Sequence, residues 1–304
     1  MRGKFILLPV LLALILLGTL SCQPSTNTTK KSIVVTYSIL GSVVKELVGD
    51  KATVTVSVPN GLDPHEWEPS ARDIEAVNKA DLVIENGLGL EGGMEKTLQT
   101  ARKSGVKFFT ASDYITVRYV GAGEGIPSGA PDQVAGAPDP HLWTDPIAMK
   151  SVIVGLAPVL MKELNLDVTS QALDLENRLD NLNTEIAAMV STIPEGNRKL
   201  VTGHESMGYF AQRYGFKLVG VIIPSLSSQA GVSAADLAAL KKAIEDNQVK
   251  AIFTELGTSP AVAKAIGDET GVKVVQLTTH ALPSDGSYFT FMRNMATVIA
   301  NALK

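Results

Sequence analysis

From Lys31 onward the chain alternates short apolar runs with amphipathic stretches. Ser32 to Tyr37 (SIVVTY) is rich in Ile and Val and predicts a buried strand. Ile39 to Val48 continues with helical spacing, and Ala52 to Val58 (ATVTVSV) alternates with period two, as a half-buried strand does. Ala71 to Lys79 predicts the next helix, Ala80 to Glu85 (ADLVIE) a third strand, about Glu91 to Lys103 a helix, and Lys107 to Thr110 (KFFT) a fourth strand. Strand and helix in alternation build parallel sheets with helices on both faces. Ligands of such sheets gather beyond the carboxyl ends of the strands.

Residues 119 to 138 (YVGAGEGIPSGAPDQVAGAP) break this rhythm with dense Gly, Pro and Ala, and predict a surface loop or lid. Pro146 to about Leu164 then predicts a helix, and Val168 to about Thr192 a longer one. Asp167 or Thr169 is placed to cap the longer helix, whose Leu173, Leu175, Leu179, Leu182, Ile186 and Val190 recur at three- and four-residue steps. At 1.5 Å per residue it would span roughly 37 Å, about the width of a lobe, which makes it a rigid spine.

Beyond Pro194 the strand–helix alternation resumes. Strands are expected at Lys199 to Thr202 (KLVT), Lys217 to Ile223 (KLVGVII), Ala251 to Glu255 (AIFTE) and Val272 to Leu277 (VKVVQL). Helices are expected at Glu205 to Tyr214, Ala234 to Asn247 and Pro260 to Thr270. The pattern as a whole predicts an α/β fold of two lobes, residues 32–167 and 194–304. Each is a parallel sheet flanked by helices, and the linking helix is 168–193.

The first 22 residues read as an address. Arg2 and Lys4 precede an almost unbroken apolar run from Phe5 to Leu20, followed by Ser21 and Cys22. The run falls short of the roughly 20 residues of a membrane-spanning helix, and residues 23–31 read as a flexible tether of Pro, Ser, Thr and Asn. The segment is similar to a bacterial lipoprotein signal, in which Cys22 becomes the lipidated first residue, although Thr19 stands where Leu is usual. This implies an exported, extracytoplasmic protein anchored to the cell membrane. Cys22 is the single cysteine, so no intrachain disulfide supports the fold.

Composition adds two exclusions and one lead. With 304 residues, 45% apolar and 19% charged, the chain is long enough for two ordinary cores. The net charge of −4 and the absence of a Lys/Arg cluster interleaved with aromatics exclude a nucleic-acid partner. The lead is histidine: there are four, His65, His141, His204 and His280, all in polar, turn-like segments, three of them shortly after a predicted strand. Four neutral imidazoles complete a tetrahedral shell around an ion such as Zn²⁺. Two come from each half, as expected for a site in a cleft between lobes.

The motifs around these histidines carry a family resemblance. Gly61-Leu62-Asp63-Pro64-His65-Glu66-Trp67-Glu68-Pro69 with Asp73 comes first, then Asp139-Pro140-His141-Leu142-Trp143-Thr144-Asp145-Pro146. Gly203-His204-Glu205-Ser206-Met207-Gly208-Tyr209-Phe210 and Ser287-Tyr288-Phe289-Thr290-Phe291-Met292 complete the series. In this order they resemble the zinc/manganese substrate-binding (lipo)proteins of bacterial ABC importers, of the ZnuA/TroA type, from about Ser32 to Lys304.

The resemblance implies that His65 and His141 are the two ligands of the first lobe. His204 matches the third, which is His in zinc-type members and Glu in several manganese-type ones. Many members place an Asp where His280 stands, so this chain departs from them, with Asp285 the alternative carboxylate. Imidazole in place of a carboxylate oxygen moves the site toward Zn²⁺ and away from Mn²⁺, the second candidate cargo. Glu66, Glu68 and Asp145 are candidates to orient the rings, Glu205 is expected to point elsewhere, and Trp67 and Trp143 either wall the cleft or pack the core.

The function implied is capture of the ion and delivery to a membrane permease, by a monomer. Because a spine helix resists a wide hinge, small lobe shifts and movement of the loops carrying His204 or His280 would release the metal. An enzyme is not expected: no His-Glu-x-x-His or Gly-x-Ser-x-Gly occurs, and four ligands leave no position for water. A zinc hydrolase with three histidines and an open position, and a surface adhesin, are the alternative readings.

Overall fold

The computed structural model describes residues 30–121, 124 and 135–304. The signal segment with Cys22, the tether up to Thr29 and most of the Gly/Pro/Ala loop lie outside the described residues. The first half contains β1 (Lys31–Tyr37), α1 (Ser38–Val48), β2 (Ala52–Val58), α2 (Ala71–Lys79), β3 (Leu82–Glu85), α3 (Glu95–Lys103) and β4 (Phe108–Thr110). Their ladders are all parallel, in the order β2-β1-β3-β4. The central strand β1 buries Ile33, Val34 and Val35 almost completely, as a strand covered on both faces must.

The second half holds β5 (Lys199–Thr202), α6 (Gly208–Tyr214), β6 (Lys217–Val221), α7 (Ala234–Asp246), β7 (Ala251–Thr254), α8 (Pro260–Thr270) and β8 (Lys273–Gln276). β5 pairs with β6 and β7 with β8, both parallel. β5 also runs in contact with β7, so the two ladders abut in the order β6-β5-β7-β8, the same connectivity as in the first half. The expected strand–helix order is thus observed, with two helices starting late: α3, expected from about Glu91, begins at Glu95 after a 3-10 turn at Gly92–Met94, and α6 starts late as well. The helix expected from Glu205 begins only at Gly208, because the His204 carbonyl, which a helix starting at Glu205 would use, accepts instead from Thr202 Oγ1 and Ser206 N.

Between the halves lie α4 (Pro146–Leu164) and α5 (Thr169–Ser191). Asp145 caps α4 by accepting from Ile147 N at 2.8 Å, and Asp167 accepts from both the amide and the hydroxyl of Thr169 at the start of α5. α5 packs against α4, against α1 and against the last helix, α9 (Tyr288–Leu303). Its buried stripe is Ala172, Leu175, Leu179, Leu182, Ile186 and Val190. Leu173 belongs to the sequence-predicted stripe but is 56% exposed, because Ala172 occupies the inward position of that turn. The pattern of α9 (Tyr288, Phe291, Met292, Met295, Ile299, Leu303) has helical spacing, yet sequence reasoning used only its first residues, as a motif.

One apolar core runs from β1 to β4 through α4, α5 and α9 into Leu200, Phe210 and Phe253 of the second half. A smaller core around Val201, Leu240, Ile252 and Ile266 serves the second half alone. The lobes are therefore cemented along the spine rather than hung from a flexible hinge. Leu182→Ala, which empties a fully buried position of α5, should cost about 2–5 kcal/mol, while Leu173→Ala should stay within about 0.5 kcal/mol. Urea denaturation of the chain starting near Lys30 measures both, and equal effects would contradict the assigned stripe.

Candidate metal centre

Each histidine is delivered by a turn at the edge of a sheet or the start of a helix. His65 lies in the turn after β2, where its amide donates to Asp63 Oδ1 at 2.9 Å. His141 precedes the short turn Leu142–Thr144 that leads into α4, and its amide donates to Asp139 Oδ1 at 2.9 Å. The two Asp-Pro-His motifs thus fold alike, the aspartate holding the histidine amide two residues on. Buried Asn86 fixes the second motif further, its Nδ2 donating to Pro140 O at 2.8 Å. His204 follows β5, and His280 follows β8.

Two glycines of the third motif are required by close approach. A Cβ on Gly203 would sit 2.0 Å from Thr258 Oγ1 and 2.7 Å from Glu255 Cγ, so only glycine lets the end of β5 reach Glu255. A Cβ on Gly208 would overlap Arg118 and Asp139, whose ion pair (2.9 Å) slots over the start of α6.

The four rings converge. Each offers a ligand nitrogen, all within 4.8 Å of one another, and no carboxylate belongs to the set. His141 Nε2 lies 3.2 Å from His65 Nε2 and 3.2 Å from His204 Nε2. Tetrahedral nitrogens at about 2.0–2.1 Å from a Zn²⁺ are separated by about 3.3 Å, so these spacings fit one ion at the centre. The rings are 4% exposed at His65, 3% at His280 and fully buried at the other two. Trp143, fully buried, meets His141 and His280 edge-on at 5.3 and 5.4 Å and walls the site. Its Nε1 donates to Thr279 O at 2.9 Å, tying the two halves together. Trp67 is half-buried on the rim of the main core.

The expected ring-orienting carboxylates are not the ones in place. Glu66 and Glu68 are exposed, and Asp145 is engaged by Arg213 through Nε and Nη2 while it caps α4. Asp139 and Glu255 take the role instead. Asp139 Oδ1 lies 2.8 Å from His141 Nδ1, and Glu255 Oε1 lies 3.2 Å from His204 Nδ1 with poor hydrogen-bond alignment. Glu255 is remote in sequence from every histidine motif, so spacing gave no signal for it; Asp139 sat within a quoted motif, and its repeat of Asp63 was the available clue. Both are buried carboxylates beside the ring cluster, Asp139 being shared with Arg118 at 2.9 Å.

Asp285, the alternative fourth ligand, is exposed and accepts from Ser287 N and Thr290 Oγ1 at the start of α9, which turns it away from the cluster. Glu205 is fully buried, outside the converging set, and both its oxygens lack a hydrogen-bond partner among the described residues. Burial holds its carboxyl well above the usual range in spite of Arg118 nearby.

Two α/β lobes joined along a helical spine thus enclose a buried polar site built of four imidazoles. The family model of the zinc-uptake complex component A, periplasmic (ZnuA), matches residues 33–302, and the chain belongs to that family. It is a metal-binding transport component, not an enzyme.

Among relatives, the metal ABC transporter substrate-binding lipoprotein SloC of Streptococcus mutans is 26% identical over 317 aligned positions, covering 99% of both chains. The manganese ABC transporter substrate-binding lipoprotein PsaA of Streptococcus pneumoniae is 26% identical over 95% of both. The solved periplasmic zinc-binding protein TroA of Treponema pallidum superposes with a TM-score of 0.75 at 26% identity, covering 90% of this chain and 99% of its own.

Proton competition for the rings follows from their surroundings. Burial, reinforced by the other three rings, holds His65 well below the usual imidazole value, and burial lowers His141 despite Asp139. Burial and His204 push His280 down to about 4, against Asp63 and Glu255. At His204 burial also lowers, but Glu255 outweighs it with help from Asp63 and Asp139, and the value rises. A ligating ring must be neutral, so His204 is the first to reclaim a proton. Metal affinity should therefore start to fall, by one proton per ion, above the ordinary histidine value of about 6.5, and steepen toward pH 4. Chelator competition across this range measures it. A loss that begins only below about pH 6 would place the first proton elsewhere.

Proposed function

We infer that this protein captures Zn²⁺ outside the cytoplasm and delivers it to the permease of an ABC importer. The observation that carries the reading is the donor set: four buried imidazole nitrogens, with no oxygen among them. Mn²⁺ favours carboxylate, carbonyl and water, while imidazole suits Zn²⁺. The names of relatives divide on this point, PsaA being called a manganese lipoprotein and TroA a zinc-binding protein. The donor chemistry of this chain's own residues supports zinc, with Mn²⁺ the weaker cargo.

Capture ends with His65 and His141 from one half and His204 and His280 from the other around a single ion. Release follows from movement of the loops that carry His204 and His280, since the core continuous through α5 opposes a wide hinge. Gln229, on the loop between β6 and α7, donates to His65 O across the cleft at 2.7 Å and is one contact to be broken. Export and lipid anchoring at Cys22 belong to the same reading, supported by the lipoprotein names of SloC and PsaA. No helix among the described residues is long and apolar enough to cross a membrane.

The test is to strip the chain starting near Lys30 of metal and titrate it with Zn²⁺ and Mn²⁺ against a calibrated chelator. One tight Zn²⁺ equivalent with much weaker Mn²⁺ binding is expected. Preferred Mn²⁺ would sink the zinc assignment, and tight binding of neither would sink capture. His→Ala at each of the four positions should weaken Zn²⁺ binding by more than about 100-fold, beyond the 10–100-fold typical of losing an outer partner. Circular dichroism should show the fold retained in each variant.

A further inference from the structure

The geometry points to Glu255 and Thr279 as the residues that make position 280 a nitrogen donor and thereby set the site's preference for Zn²⁺. The inference rests on the four-histidine reading and deepens it, assigning the origin of selectivity to two side chains that touch no metal.

The argument is an inventory of protons. Glu255, fully within the protein at the end of β7, accepts on Oε1 from His204 N (3.0 Å) and on both oxygens from Ser206 Oγ (2.9 and 2.7 Å). Its Oε2 also accepts from Thr279 Oγ1. A hydroxyl has one proton and two lone pairs. Once Thr279 has given its proton to the carboxylate, only a lone pair remains for its other close neighbour, His280 Nδ1, at 2.8 Å. Nδ1 must therefore carry the ring proton, and a neutral imidazole so protonated keeps its lone pair on Nε2. That Nε2 is buried and has no hydrogen-bond partner among the described residues, and His280 belongs to the converging set.

The same carboxylate thus presents both histidines of the second half. His204 is held by its amide and His280 through the threonine, and their rings lie nearly parallel with centroids 5.3 Å apart. Thr279 is itself anchored from the other side, its carbonyl accepting from Trp143 Nε1 at 2.9 Å, which fixes the backbone that carries the hydroxyl. A carboxylate at position 280 would have no proton to give to the Thr279 lone pair, since the hydroxyl's own proton goes to Glu255. The relay suits imidazole and works against oxygen, the direction of selectivity that favours Zn²⁺ over Mn²⁺.

The experiment compares wild type, Thr279→Val, Thr279→Ser and His280→Ala by chelator competition for Zn²⁺ and Mn²⁺, and by the visible absorption of the Co²⁺-loaded protein. Thr279→Val removes the hydroxyl at nearly constant shape. It should weaken Zn²⁺ binding 10–100-fold, narrow the Zn²⁺-to-Mn²⁺ ratio and reduce the strong bands of four-coordinate Co²⁺. Thr279→Ser keeps the hydroxyl and should restore all three, which a role of the methyl group in packing would not. Should valine not be accommodated, Thr279→Ala leaves the carbonyl bond to Trp143 in place and gives the same comparison.

If the hydroxyl-free variants match wild type while His280→Ala is impaired, the relay is overturned and the four-histidine site stands. If His280→Ala also matches wild type, the four-histidine reading itself falls.

Discussion

The structure is organised around the convergence of four imidazole rings, a set that a cation would hold together. His65 Nε2 and His204 Nε2 each lie 3.2 Å from His141 Nε2, with all three residues buried. Where Nδ1 carries the ring proton, Nε2 turns a lone pair toward its neighbours, and such lone pairs repel. A divalent ion at their centre would convert that repulsion into coordination. What surrounds the cluster serves this arrangement: Asp139 beside the far nitrogen of His141, the Thr279 hydroxyl beside that of His280, an indole that walls the site, and glycines that let the backbone come close. Burial is required as well, because it keeps three of the rings neutral and ready to ligate.

Holding four rings at such spacing demands a frame that does not breathe. Two sheets of like connectivity deliver the histidine turns, and α5 with α9 binds the sheets through one continuous apolar core. Polar ties across the cleft add register: Trp143 to Thr279, Gln229 to His65, and Asn60 to Leu282 through both its amide groups. Rigid walls with a few polar loop contacts are what a carrier needs if the cargo is to be held without a wide hinge and released by moving a loop.

Much of this was legible along the chain. Every strand and the helices between them follow from apolar runs and periodicity, and the four histidines were found because imidazole is scarce here and sits in turns. The motif order gave the family, to which the chain belongs. Misreadings arose where tertiary position overrides local pattern. Leu173 has the right spacing for the spine stripe, but its turn faces solvent. Glu66, Glu68 and Asp145 are adjacent to histidine motifs, yet adjacency along a turn does not aim a carboxylate at a ring. The start of α6 slipped because the His204 carbonyl, which a helix starting at Glu205 would use, accepts instead from Thr202 Oγ1 and Ser206 N.

The sequence by itself determined the alternation of elements, the spine, and the four residues able to bind a soft-to-borderline cation, since these depend on composition and on neighbours along the chain. Which groups complete the site was decided only by the folded structure. Asp139 reaches His141 from two residues away, but Glu255 reaches His204 and Thr279 from 51 and 24 residues away. Hydrogen bonds act over about 3 Å of space and are blind to separation in sequence, so only the packing of β5, β7 and β8 side by side could bring that carboxylate between two histidines.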